Sequence, residues 1–111
     1  MFWKMVKMHR IERVIQVEDF LKIIEHIGEE QITTTGHTFL LLEEGERNVF
    51  KERVIKEFIR TKVPVLVGVQ RNGLYAVFYR NEKELLKLVM DIRPDRIQVV
   101  TFHTEDHLPR V

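Results

Sequence analysis

The stretch VPVLVGVQRNGLYAVFYR, residues 63–80, constrains the fold more than any other part of the chain. Asn72-Gly73 separates two apolar runs, and this dipeptide suits a two-residue type I′ hairpin because both central residues take positive φ. Such a turn predicts the pairs Arg71 with Leu74, Val69 with Ala76, Val67 with Phe78 and Val65 with Arg80, all on one face. The other face would carry Leu66, Gly68, Gln70, Tyr75, Val77 and Tyr79. The first set is the more apolar and is expected under the helices; the second mixes aromatic and polar groups and is expected to face solvent or a ligand.

A second hairpin follows in LLKLVMDIRPDRIQVVTFH, with RPDR joining Ile92 to Ile97. Continuous alternation then puts Leu86, Leu88, Met90 and Ile92 on one face with Ile97, Val99, Thr101 and His103. That parity assigns His103 to the outer end of the core-side row. The expected meander has strands near residues 64–71, 74–80, 85–92 and 96–103.

Upstream of the meander, RIERVIQV alternates Ile11, Arg13, Ile15 and Val17 against Glu12, Val14 and Gln16, the pattern of a strand with one better-buried side. In EDFLKIIEHIGEE, Phe20, Ile23, Ile24 and Ile27 recur at helical spacing, with Asp19 as N-cap and Gly28 as the stop. QITTT reads as a short strand. In the segment after it, Asn48 is placed to cap a helix whose apolar stripe is Phe50, Val54, Ile55, Phe58 and Ile59, ending before Pro64. HTFLLLEE, residues 37–44, fits either a helix turn or a strand, and helix is preferred, with Gly45 ending it.

These elements predict an α+β fold: a two-layer domain with an antiparallel meander, two or three helices on one face, and an N-terminal strand and helix added over residues 1–30. At 111 residues one domain is expected, with a core over 31–104 and a tail over 105–111. The chain has no cysteine, which removes disulfides, thiolate nucleophiles and Cys-ligated metal from consideration. The start MFWKMVKMHR interrupts its apolar residues with Lys4, Lys7 and Arg10, so neither a signal peptide nor a membrane span is expected and the cytoplasm is the expected compartment. Charged residues are 32% of the chain yet sum to +1, so total charge does not by itself mark a nucleic-acid binder. Abundant Lys, Arg and Glu with few Asn and Gln fit a thermophilic source.

The stretch TTTGHTFLLLEEGERNVFKERVIKEFI, followed by a short-turn hairpin and a final IQVVTFH, resembles the small toxins related to RelE and BrnT, including a family named only as a domain of unknown function. The resemblance covers about residues 31–104, and His37 and Arg47 match its pattern best. It implies a ribosome-dependent or free endoribonuclease, or a degenerate relative, paired with a small antitoxin. The near-neutral charge and the first 30 residues depart from that family.

The chemistry can be argued from the residues themselves. Metal-free RNA cleavage needs a base for the ribose 2′-hydroxyl, an acid for the 5′-oxygen and cations for the charged phosphorane. His37, near a helix start, and His103, at a strand end, are the candidate acid and base, since imidazole titrates near neutrality. Arg80 completes the expected catalytic set. Arg47 and Arg71 are candidate phosphate clamps through their forked donors, and Tyr75 and Tyr79 are candidate stacking platforms for unpaired bases. No cofactor is expected.

Each of these residues also has an ordinary structural role to weigh. A histidine at a helix start or strand end more often makes local hydrogen bonds, and an arginine at a turn is more often simply solvated. His103, Glu105, Asp106 and His107, with His37, offer N and O ligands to a metal, but Pro109 and the preceding strand argue for extended chain on which the two rings need not converge; no metal site is assigned. A different class of function is an interaction or homodimerisation domain, using the mixed sheet face and the Phe2-Trp3 pair as anchors.

Overall fold

The structure, a computed structural model, describes residues 10–34 and 52–109. His9, His37, Arg47, Asn48, Phe50, Phe2, Trp3 and the segment 37–44 lie outside the described residues. The elements in chain order are β1 (Ile11–Ile15), α1 (Val17–Ile24), a 3-10 turn (Glu29–Gln31), β2 (Ile32–Thr34), α2 (Glu52–Thr61), β3 (Leu66–Gln70), β4 (Tyr75–Asn81), β5 (Glu84–Arg93) and β6 (Arg96–Glu105). The fold is α+β. Among the described residues six strands form one mixed sheet in the order β1-β3-β4-β5-β6-β2, antiparallel throughout except for β2 beside β6.

The two helices share one core. Phe20, Ile24 and Ile27 from α1 and its end, with Ile55 and Ile59 from α2, pack on Val67, Val77, Tyr79, Leu86, Leu88, Met90, Ile97, Val99 and Phe102 of the sheet. The described part of the N-terminal addition is therefore built into the same core as the meander. α1 starts three residues earlier than its sequence suggests: Gln16, in place of Asp19, is the N-cap and makes no side-chain cap bond, while Asp19 lies in the first turn beside Glu18, where negative charge faces the positive end of the helix dipole. Gly28 ends no helix; it opens the 3-10 turn, its N–H donating to Gln31 Oε1 at 2.7 Å. The same amide donates from Nε2 to the Asp95 carbonyl at 2.6 Å. That bridge ties the residue before β2 to the β5–β6 turn, and β2 runs parallel to β6 with Ile32 opposite Ile97.

Three local features overturn the faces expected from alternation. The first is the β3–β4 turn. Leu66 pairs with Phe78, Val67 with Val77, Gly68 with Ala76 and Val69 with Tyr75. Gly73 N–H donates to the Gln70 carbonyl and Gln70 N–H to the Leu74 carbonyl, so the loop has three residues, Arg71-Asn72-Gly73. Positive φ occurs at Gly73 (87°) and not at Asn72, the pattern of a type I turn closed by a left-handed residue, in place of type I′. One extra loop residue slips the register by one and turns every β4 side chain over. Val77 and Tyr79 join the core under the helices with Tyr75 packed against it, while Ala76, Phe78 and Arg80 take the other face.

The second feature is a bulge in β6. Met90 pairs with Val99 but Val89 with Thr101, leaving Val100 as the extra residue. Beyond it Phe102 enters the core opposite Leu88, and His103 turns to the opposite face beside Lys87. His103 is therefore not in the core-side row. The third is a register shift in β1 between Ile11 and Arg13, which separates Ile11, over Gly68 on the outer face, from Ile15, opposite Val67 on the core side. The outer face is not simply solvated: Gln70, Ala76, Phe78, Leu85 and Val89 on it are all buried.

Candidate functional site

The hairpin registers bring four ionisable side chains to one end of the outer face. Phe78, Lys87 and His103 form one cross-strand row on β4, β5 and β6, and Arg80, Leu85 and Glu105 form the next. Residues two apart on a strand share a face, which is why His103 and Glu105 meet: His103 Nε2 lies 2.8 Å from Glu105 Oε1. A carboxylate oxygen only accepts, so the contact assigns the donated proton to Nε2. Both side chains are partly exposed, 24% and 34%, while His103 Nδ1 is buried and has no hydrogen-bond partner among the described residues. Proton exchange with a bound molecule is thereby confined to the Nε2 edge and the Glu105 carboxylate.

Lys87 crosses the same patch with its Nζ 5.7 Å from the centre of the Phe78 ring, a distance at which the ring face attracts a cation. Arg80 is exposed at the end of β4. Two strand spacings and two residues of offset put its Cα about 12 Å from that of His103, using a lateral spacing of roughly 4.8 Å and a rise of roughly 3.3 Å. A long arginine side chain can close that gap toward a shared phosphate. The arrangement thus offers one imidazole, one carboxylate and two cations on a ledge partly open to solvent.

The remaining expected residues fall elsewhere. Arg71 is exposed in the β3–β4 turn at the other end of the sheet, about 20 Å along β4 from Arg80 at the usual strand rise, so the two cannot clamp one phosphate. Tyr79 is buried in the core with its ring edge toward Phe58, centroids 6.1 Å apart, and cannot stack on a base from there. Its hydroxyl has no hydrogen-bond partner among the described residues, and desolvation by burial raises its pKa well above the ordinary value of 10.0. Tyr75 also packs against the core, partly buried. His107 is exposed beyond β6 and His26 is exposed beside Glu25, 3.4 Å away. Among the described residues no three His, Asp or Glu side chains converge as a metal would require.

Lys87 and Glu105 are absent from the catalytic set that the sequence suggests. The signal for Glu105 is present there, because His-x-Glu on a strand puts both groups on one side. Lys87 cannot be found the same way, since its pairing with His103 depends on the β6 bulge. The geometry defines an α+β domain with a histidine–glutamate contact in a patch that also holds two cations. The chain matches no family model, no curated protein and no solved structure. Among the described residues no helix is long and apolar enough to cross a membrane.

Proposed function

We propose that the protein acts on single-stranded RNA as a metal-independent endoribonuclease of the toxin type, with His103 and Glu105 as the acid/base pair and Arg80 and Lys87 as phosphate ligands. The observation that carries this reading is the 2.8 Å contact between His103 and Glu105 on the face shared with Lys87 and Arg80. The resemblance to the RelE and BrnT toxins supports it, as does the order of short strand, helix and antiparallel meander over the described part of residues 31–104. A small antitoxin belongs to the same reading.

In the reaction, Glu105 accepts the proton of the ribose 2′-hydroxyl. The 2′-oxygen attacks phosphorus, and the bond to the 5′-oxygen breaks as that oxygen takes the Nε2 proton of the His103 imidazolium. The products are a 2′,3′-cyclic phosphate and a 5′-hydroxyl. Arg80 and Lys87 offset the charge that grows on the phosphorane oxygens.

The test is cleavage of an end-labelled single-stranded RNA by the wild type and by His103→Ala, Glu105→Gln, Lys87→Gln and His37→Ala, each with and without a chelator and with and without ribosomes. Wild-type cleavage should ignore the chelator and leave cyclic phosphate ends. His103→Ala and Glu105→Gln should each lose about 10²- to 10⁴-fold in rate, the usual range for an acid or base. Intact RNA in every lane sinks the reading, and chelator-sensitive cleavage replaces it with metal chemistry.

A further inference from the structure

α2 carries a charged stripe on its solvent side, away from the sheet face that holds His103. Arg53, Lys56 and Arg60 recur at three- and four-residue spacing and so stack along one line, spanning about 10 Å at a rise of ~1.5 Å per residue. The stripe walls a groove of about 290 Å³ whose other lining residues are Glu29, Glu57 and Thr61. Two details separate this groove from an ordinary solvated helix face. The Lys56 side chain is only 19% exposed, so its stem is packed and its ammonium, 3.4 Å from Glu52, is held in place. Arg53 has no ion-pair partner among the described residues, and Arg60 meets Glu29 only at 3.6 Å with both side chains about half exposed. Such an exposed pair contributes little, so an anion stronger than Glu29 can displace it from Arg60.

We infer that this groove binds the phosphodiester backbone of single-stranded RNA, with Arg53 and Arg60 as forked donors and Lys56 as a fixed point charge. The inference rests on the RNA-directed reading and adds a second contact to it. The groove and the His103 patch lie on opposite sides of the sheet, because α2 packs on the core face while His103 and Lys87 point away from it. A dinucleotide therefore reaches the cleavage patch alone, whereas a long strand can occupy both. Affinity should depend on length through α2, and chemistry should not.

The experiment compares fluorescence anisotropy of a labelled 20-nucleotide RNA with cleavage of a dinucleotide. The variant R53Q/K56M/R60Q keeps the packed Lys56 stem as methionine, and R53E alone changes only an exposed, unpaired side chain. A charge-matched control, R13Q/K22Q/R96Q, removes three exposed cations elsewhere. The triple groove variant should weaken 20-mer binding at least tenfold at low salt and flatten the slope of log affinity against log salt by about 2, since each phosphate contact on a single strand contributes roughly 0.7. R53E should weaken it in the same direction. Dinucleotide cleavage should be unchanged in both, and the control should bind like the wild type. Equal 20-mer affinity and slope in wild type and groove variants overturns the inference, as does an equal loss in the control. If nothing is cleaved while 20-mer binding still depends on the stripe, the nuclease reading fails and the groove stands; if RNA is cleaved while binding ignores the stripe, the reverse holds.

Discussion

Replacing Tyr79 by phenylalanine is expected to stabilise the protein, although it removes a polar group from a tightly packed position. The hydroxyl is buried and has no hydrogen-bond partner among the described residues, and the residue is 1% exposed. A buried polar group left without a partner costs about 1–3 kcal/mol. The ring, with its edge contact to Phe58, is retained by phenylalanine, and the void left by one oxygen is small, so the net gain at neutral pH should be about 1 kcal/mol. For a domain of this size that raises Tm by about 5 °C.

A second signature appears at high pH. The unfolded chain releases the tyrosine proton near 10.0 while burial keeps it on the folded protein to a higher value. Between these two values the unfolded state binds fewer protons, so wild-type stability falls as pH rises toward the folded value. At pH 11 this contribution is about 1.4 kcal/mol, and Tyr79→Phe lacks it. Urea unfolding of both proteins between pH 7 and pH 11 checks the two parts together. A Tyr79→Phe variant less stable than wild type by about 1 kcal/mol or more, with a gap that does not widen above pH 10, would refute the reasoning by showing that the hydroxyl is hydrogen-bonded in solution.

Two glycines give sharper tests of the sheet. Gly73 has φ 87°, and a Cβ at that position would meet no atom within 4 Å, so Gly73→Ala should cost about 1–2 kcal/mol from backbone conformation alone; an unchanged urea midpoint would contradict the three-residue turn. At Gly68 the φ is ordinary and space is the constraint: a Cβ would sit 2.5 Å from Ile11 Cγ2. Gly68→Ala should therefore destabilise by about 1–3 kcal/mol through overpacking, and Gly68→Ala combined with Ile11→Ala, which removes the clashing Cγ2, should show less than the sum of the two single losses in the same measurement.

The amino-acid sequence determined which segments become helices and strands, because that information lies in periodicity. The stripe Val54, Ile55, Phe58 and Ile59 marks α2, the apolar spacing of Phe20, Ile24 and Ile27 marks α1 and its end, and the meander follows from apolar runs separated by turn residues. The pairing of Ile92 with Ile97 was equally legible. Which face each strand shows was not. Parity is a property of the pairing, and one added residue inverts it: the third residue of the Arg71-Asn72-Gly73 loop buried Tyr79, and the bulge at Val100 moved His103 from the core side to the side of Lys87. The contact between His103 and Glu105 could be read from their spacing, since two residues apart on any strand share a face. Its setting among Lys87 and Arg80 was decided only by tertiary structure, because cross-strand neighbours are chosen by the turns and the bulge that set register, and these depend on how the whole sheet packs against its helices.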